Sequence, residues 1–320
     1  MSLRVPLGVR QRGLALNRIV APVDCNEACA ATPWADEYFV RVRPYVYVRL
    51  DDNLLIKRPN MACRLNPSGA RILKALLDGV PLAAVLARLA STDIQPREIA
   101  AFLLAVRHYL EGRVNEFCIN PAVSTTPHPL EFSTLPVLAE FALTYRCNLR
   151  CQFCYAGCNH ACSRGAHDDA LSLSDQKRII TAMVEHARVP SLSFTGGEPL
   201  LAPHLEALIR HAKRLDLRVN LISNGTLIDA RVARRLARAG VDSAQISIEG
   251  VTAATHDALV DATGAFAQAV AAVRHLRAAG IHTHANTTVT RANLAECAQM
   301  PRFARETLGC DRFSMNLLIP

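Results

Sequence analysis

Cys147, Cys151 and Cys154 fall in the run Thr-Tyr-Arg-Cys-Asn-Leu-Arg-Cys-Gln-Phe-Cys-Tyr, a C-x3-C-x2-C spacing just after the strand-like segment Glu140 to Tyr145. Three thiolates in one loop can hold a metal cluster and leave one coordination position open. A structural zinc site takes four protein ligands, and a [4Fe-4S] cluster held wholly by protein takes four cysteines. The triad is therefore incomplete, which points to a substrate or cofactor as the missing ligand. Three further groups each end a strand-like run: Gly196-Gly197-Glu198-Pro199, Ser223-Asn224-Gly225, and Ser247, Glu249 and Gly250. Gly196 and Gly197 lack a β-carbon and let a ligand approach the backbone. Glu198 beside them suits a ligand ammonium. A glycine pair or an Asn-Gly step is by itself an ordinary turn; their placement after successive strands gives them weight.

The elements that must position these groups alternate. Apolar strands are expected near 138–145, 191–195, 218–223, 243–248, 282–290 and 312–319, and helices near 173–187, 203–214, 229–239, 265–279 and 294–307. Such βα repetition predicts a parallel sheet with right-handed crossovers, in which functional groups gather where strands end. Ser172-x-x-Asp175 reads as a capping box. Six strands are fewer than a closed eight-stranded barrel needs, so the fold class is α/β with a partial (β/α)6 barrel.

Ahead of this lies a smaller α+β unit. Residues 1–38 form an arm without a period. Phe39 to Leu50 alternates and, with a turn at Asp51 to Asn53 and Leu54 to Ile56, predicts a β-hairpin. Asn66-Pro67 caps a helix bearing Ile72, Leu73, Leu76 and Leu77 that stops at Gly79. Leu82 to Leu89 and the stretch from Ile99 to Leu110 predict two more helices. The unit, 39–120, is winged-helix-like, and proline-rich 121–136 is the linker to a core domain at 137–320.

The 320 residues are 50% apolar, enough for a substantial core. No apolar run reaches the roughly 20 residues that cross a bilayer, and no secretion signal follows the N-terminal arginines; a cytoplasmic protein without a membrane partner is expected. Clustered cysteines in such a chain favour metal ligation over disulfides. The net charge of +8 is nearly all arginine, and no arginine block with interleaved aromatics supports a nucleic-acid partner. Cys25 and Cys29 read as ordinary cysteines of the arm; Cys158 and Cys162, with His160, offer a further ligand set, against which stands the reading of spare or loop-packing cysteines.

The thiolate triad with Phe153 before its last cysteine, followed by Gly196-Gly197-Glu198-Pro199, resembles the radical S-adenosylmethionine superfamily over about residues 137–320. The resemblance implies that Cys147, Cys151 and Cys154 hold three irons of a [4Fe-4S] cluster and that S-adenosylmethionine binds the fourth. It implies that Gly196, Gly197 and Glu198, with Pro199 closing the motif, receive the methionyl ammonium. Phe153 and Tyr155 would flank the adenine, and Ser223, Asn224, Ser247 and Glu249 would line the ribose and carboxylate side. An external donor would pass one electron through the cluster, the cofactor would cleave, and the resulting radical would abstract a hydrogen atom.

Residues from about 45 to 118, with Leu65-Asn66-Pro67-Ser68-Gly69-Ala70-Arg71-Ile72-Leu73, resemble the PqqD-like domains that bind leader peptides. That resemblance implies a peptide or small-protein substrate held by β-augmentation, as in PqqE-like maturases. Those enzymes carry a cysteine-rich SPASM extension, which is expected to be absent after Pro320. Two alternatives stand beside peptide maturation: work on a tetrapyrrole or metallocofactor precursor, and a non-catalytic role presenting peptide to another maturase.

Overall fold

The computed structural model describes residues 32–58, 61–89, 96–112, 135–158 and 171–318. The N-terminal unit begins with helix α1 (Ala35–Val42), where the alternation of Phe39 to Leu50 predicts strand. The physical reason is that Ala35, Tyr38 and Phe39 share one helical face and are buried, while Val40 is 59% exposed; the valines fitted a period of two by coincidence. Strand begins only after the Pro44 turn, at β1 (Val46–Arg49), and continues through β2 (Leu54–Lys57) to β3 (Met61–Arg64) in an antiparallel sheet of order β1-β2-β3. Helices α2 (Pro67–Leu77), α3 (Leu82–Leu89) and α4 (Pro96–Leu110) pack on it. Asn66 Oδ1 caps α2 by accepting from Gly69 N at 2.7 Å.

The larger unit is a six-stranded parallel sheet whose strands pair in chain order: β4 (Ala139–Ala142), β5 (Ser191–Thr195), β6 (Arg218–Ser223), β7 (Ser243–Ser247), β8 (His282–Val289) and β9 (Arg312–Leu317). Between them run α5 (Leu173–Glu185), α6 (Leu205–Arg214), α7 (Ala230–Ala239), α8 (Ala253–Val260) and α9 (Ala265–Ala278), with short helical turns over 294–307. Side chains alternate across a strand. Leu192, Phe194, Val219, Leu221, Ala244 and Ile246 face the helices and join Leu208, Leu236 and Val273 in one core. The opposite face is polar. Register aligns Glu140, Ser193, Asn220, Ser243 and His282 in one row and Ile222, Gln245, His284 and Arg312 in the next.

The N-terminal unit docks at the end of the sheet where strands begin. The fully buried Arg49 guanidinium donates to Leu135 O at 3.0 Å, Pro136 O at 2.8 Å and Arg188 O at 3.4 Å, and pairs with Asp52 at 2.8 Å. Arg58 donates to Asp216 O at 3.2 Å, and the Tyr45 ring lies against both Arg218 and His282. The cysteine loop leaves β4 at the other end.

Candidate active site

The loop after β4 is held from two sides. Gly197 N donates to Thr144 O at 2.7 Å and Glu198 N to Arg146 O at 2.9 Å. The glycines make this approach possible: a β-carbon would stand 2.2 Å from Thr144 O at Gly196 and 2.3 Å from Arg146 O at Gly197. Gly196 also has φ +135°, outside the range of ordinary residues. On the far side Arg150 N donates to Val260 O at 3.1 Å and Gln152 N to Leu259 O at 3.0 Å, while Cys147 and Cys151 pack against Leu149, Val260 and Ala265. The glycine pair thus fastens the loop that carries the thiols, a job that sequence spacing does not reveal.

Cys147, Cys151 and Cys154 are all half-buried. The Cys147 sulfur accepts from Leu149 N at 3.5 Å and from Asn224 Nδ2 at 3.9 Å. Burial raises the Cys147 thiol and pushes Cys151 up to about 12, with the neighbouring sulfurs and Glu249 adding to it. Among the described residues no three His, Cys, Asp or Glu side chains converge as one metal ion requires. Three half-buried thiols on one clamped loop are the kind of donor an iron-sulfur cluster takes, so the donor set fits that group. Cys158, read from sequence as a spare or loop-packing cysteine with further ligation as the alternative, lies against Cys154: burial first, then the Cys154 charge and hydrogen bond, push it to about 12.

Two carboxylates lie under the loops. Glu198 is fully buried; it accepts from Ser223 Oγ at 2.9 Å, Asn224 N at 2.9 Å and Leu200 N at 3.1 Å. Burial pushes it up to about 7, against the pull of those three donors. It is turned into the protein, bracing the Ser223-Asn224 turn. Pro199 opens the short helical turn that Glu198 caps. Glu249, also buried, accepts from Thr288 N at 2.7 Å and is pushed up to about 8 by burial.

Ser247 ends β7 opposite Asn286. Phe153 is half-buried, and Tyr155 is 84% exposed. Sequence reasoning missed His256, whose Nδ1 accepts from Glu249 N at 3.0 Å, and Asn293, whose amide donates to Glu249 O and Thr288 O at 2.9 Å each. Neither sits in a motif; both are found through their contacts with Glu249. Cys25, Cys29, His160 and Cys162 lie outside the described residues.

Comparison with known proteins matches residues 141–303 to the model of the Radical SAM superfamily. The chain is 36% identical over 183 residues to the AdoMet-dependent heme synthase of Oleidesulfovibrio alaskensis, covering 57% of this chain and 46% of that protein. It is 37% identical over 191 residues to the PqqA peptide cyclase of Gluconobacter oxydans, covering 59% and 49%. The chain spans about half the length of the curated relatives it matches. In fold it is similar to Streptococcus suis SuiB bound to precursor peptide SuiA, with a TM-score of 0.58 at 18% identity, covering 86% of this chain and 62% of that one. The SuiB structure bound to S-adenosylmethionine gives 0.58 as well, at 18% identity, covering 86% and 63%. The family match runs from β4 to the turns before β9 and takes in the thiol loop, the glycine clamp and both carboxylates: this chain belongs to the radical SAM superfamily.

Proposed function

We propose that the chain is a cytoplasmic radical SAM enzyme that modifies a ribosomally made peptide or small protein. The observation that carries this reading is the clamped loop after β4 that brings Cys147, Cys151 and Cys154 together at the end of the sheet where strands finish. When bound, a [4Fe-4S] cluster with S-adenosylmethionine supplies one-electron cleavage and hydrogen-atom abstraction, the electron coming from an external donor. The three thiols hold the cluster and must lose their protons to do so. The 196–197 backbone, Asn224, Ser247 and Glu249 orient the cofactor, with Glu198 and Ser223 bracing them from behind and Pro199 fixing the turn. Phe153 and Tyr155 flank its adenine.

Peptide as substrate is supported by the PqqA peptide cyclase likeness and by the SuiB fold. The SuiB match covers more of the chain than residues 135–318 can account for, so it takes in part of the N-terminal unit. There β3 pairs with β2 alone among the described residues. Its free edge suits an extended peptide added as a further strand, which makes the unit PqqD-like in role. A second reading, a tetrapyrrole substrate, is favoured by the heme synthase likeness. Incubation of the reconstituted protein with dithionite and S-adenosylmethionine tests the enzyme: release of 5′-deoxyadenosine is expected, and a loaded protein that releases none contradicts it. Binding of a neighbouring-gene peptide, and not of a porphyrin, separates the two substrates.

A further inference from the structure

A cavity of about 400 Å³ lies between the N-terminal unit and the starting end of the parallel sheet. Its volume is in the range of small-ligand sites. Lys57 and Arg58 enter it from β2 and its following turn, Arg218 and Arg312 from the first residues of β6 and β9. Arg58 and Arg218 are each only 7% exposed, and the Nε of each has no hydrogen-bond partner. Arg58 has Asp216 O and a loose pair with the exposed Asp216 carboxylate at 3.7 Å. The Arg218 guanidinium has no hydrogen bond or ion pair among the described residues and stacks over Tyr45. Asp242, the carboxylate that acts on it, gives its Oδ2 to Lys213 at 2.7 Å and to Val219 N and makes no hydrogen bond to Arg218.

A buried guanidinium without an acceptor is costly and asks for one. Arg218 is such a group, and with the partly satisfied Arg58 facing the same cavity it suits an oxyanion, which arginine binds through paired N–H groups. Glu140 and Asp311 line the same cavity, which disfavours a dianion such as phosphate. We infer that this cavity binds a carboxylate group of an elongated ligand, anchored by Arg218 and Arg58. From Arg218 to Ser223, β6 advances five residues, or roughly 17 Å. A ligand anchored at Arg218 whose other end reaches the cysteine rim therefore spans about five extended residues; this length, unlike the anchor, rests on the rim being the reacting end.

The test is thermal unfolding of the full chain, without cluster or cofactor, in the presence of pentaalanine free acid, its C-terminal amide, coproporphyrin, or inorganic phosphate. A bound carboxylate raises the midpoint by mass action. A rise with the free acid but not the amide identifies a peptide carboxylate; a rise with coproporphyrin alone identifies a tetrapyrrole carboxylate. In either case Arg218→Gln should weaken binding at least about tenfold. Arg312→Gln, at an exposed position on the same cavity, should weaken it less and serves if Arg218→Gln does not fold. Equal effects of acid and amide, a response to phosphate alone, no response to any probe, or full binding by the variants would overturn the assignment.

Discussion

The Asn224 side-chain amide stands 3.9 Å from the Cys147 sulfur. Its backbone N–H is meanwhile held by Glu198 at 2.9 Å, and its Oδ1 by Thr226. The buried carboxylate thus fixes a donor against the Cys147 sulfur, the proposed cluster ligand. Hydrogen bonds to sulfur stabilise the reduced, more negative state of an iron-sulfur centre. Asn224→Ala should therefore shift the midpoint potential of the reconstituted cluster to a more negative value in a spectroscopic redox titration. A potential equal to the parent's would mean the amide does not act on the sulfur.

Gly197 has no room for a methyl group. Gly197→Ala must push Arg146 O away and misplace the thiol loop, at a cost of about 3 kcal/mol. Gly264→Ala is the control: that glycine has φ +84° but open space around it, and should lose only about 1 kcal/mol. Iron content after anaerobic reconstitution should fall sharply in Gly197→Ala and stay unchanged in Gly264→Ala.

Burial raises Glu198 to about 7 and Glu249 to about 8 from an unfolded value near 4.5. The folded protein then binds more protons than the unfolded chain in this window, so their contribution is complete below about pH 4.5 and is lost as pH rises through 7 and 8. Glu249→Gln keeps an acceptor for Thr288 N and cannot ionise. Melting of the metal-free variant should be less sensitive to pH between 5 and 8 than that of the parent; parallel curves would contradict the protonated Glu249.

Arg49 joins the two units through three backbone carbonyls and Asp52. Arg49→Leu leaves these acceptors without their donor and should destabilise the protein by about 3 kcal/mol in urea unfolding. A loss below about 1 kcal/mol would show that water replaces the guanidinium freely.

The six parallel strands and the thiol triad were legible because they are local: the strands recur between helical patterns, with apolar residues on one face, and the three cysteines lie within one loop. Helix α1 was misread because its valines satisfy a period of two while its buried face, Ala35, Tyr38 and Phe39, is too short to set a period of 3.6. Helix α8 was missed because it is only eight residues long and its buried stripe, His256, Leu259 and Val260, covers a single i, i+3, i+4 repeat that includes a histidine. The inward turn of Glu198 and the arginine-lined cavity depend on residues brought together from distant segments. No spacing rule carries that information.

The most direct measurement is electron paramagnetic resonance of the reduced, reconstituted protein before and after S-adenosylmethionine is added. Cys147, Cys151 and Cys154 should hold about four irons per chain with one iron open to the cofactor. The account predicts a changed cluster signal on addition, and no cluster in the Cys147→Ala, Cys151→Ala, Cys154→Ala triple variant. An unchanged signal, or a cluster that persists without the three thiols, would contradict it.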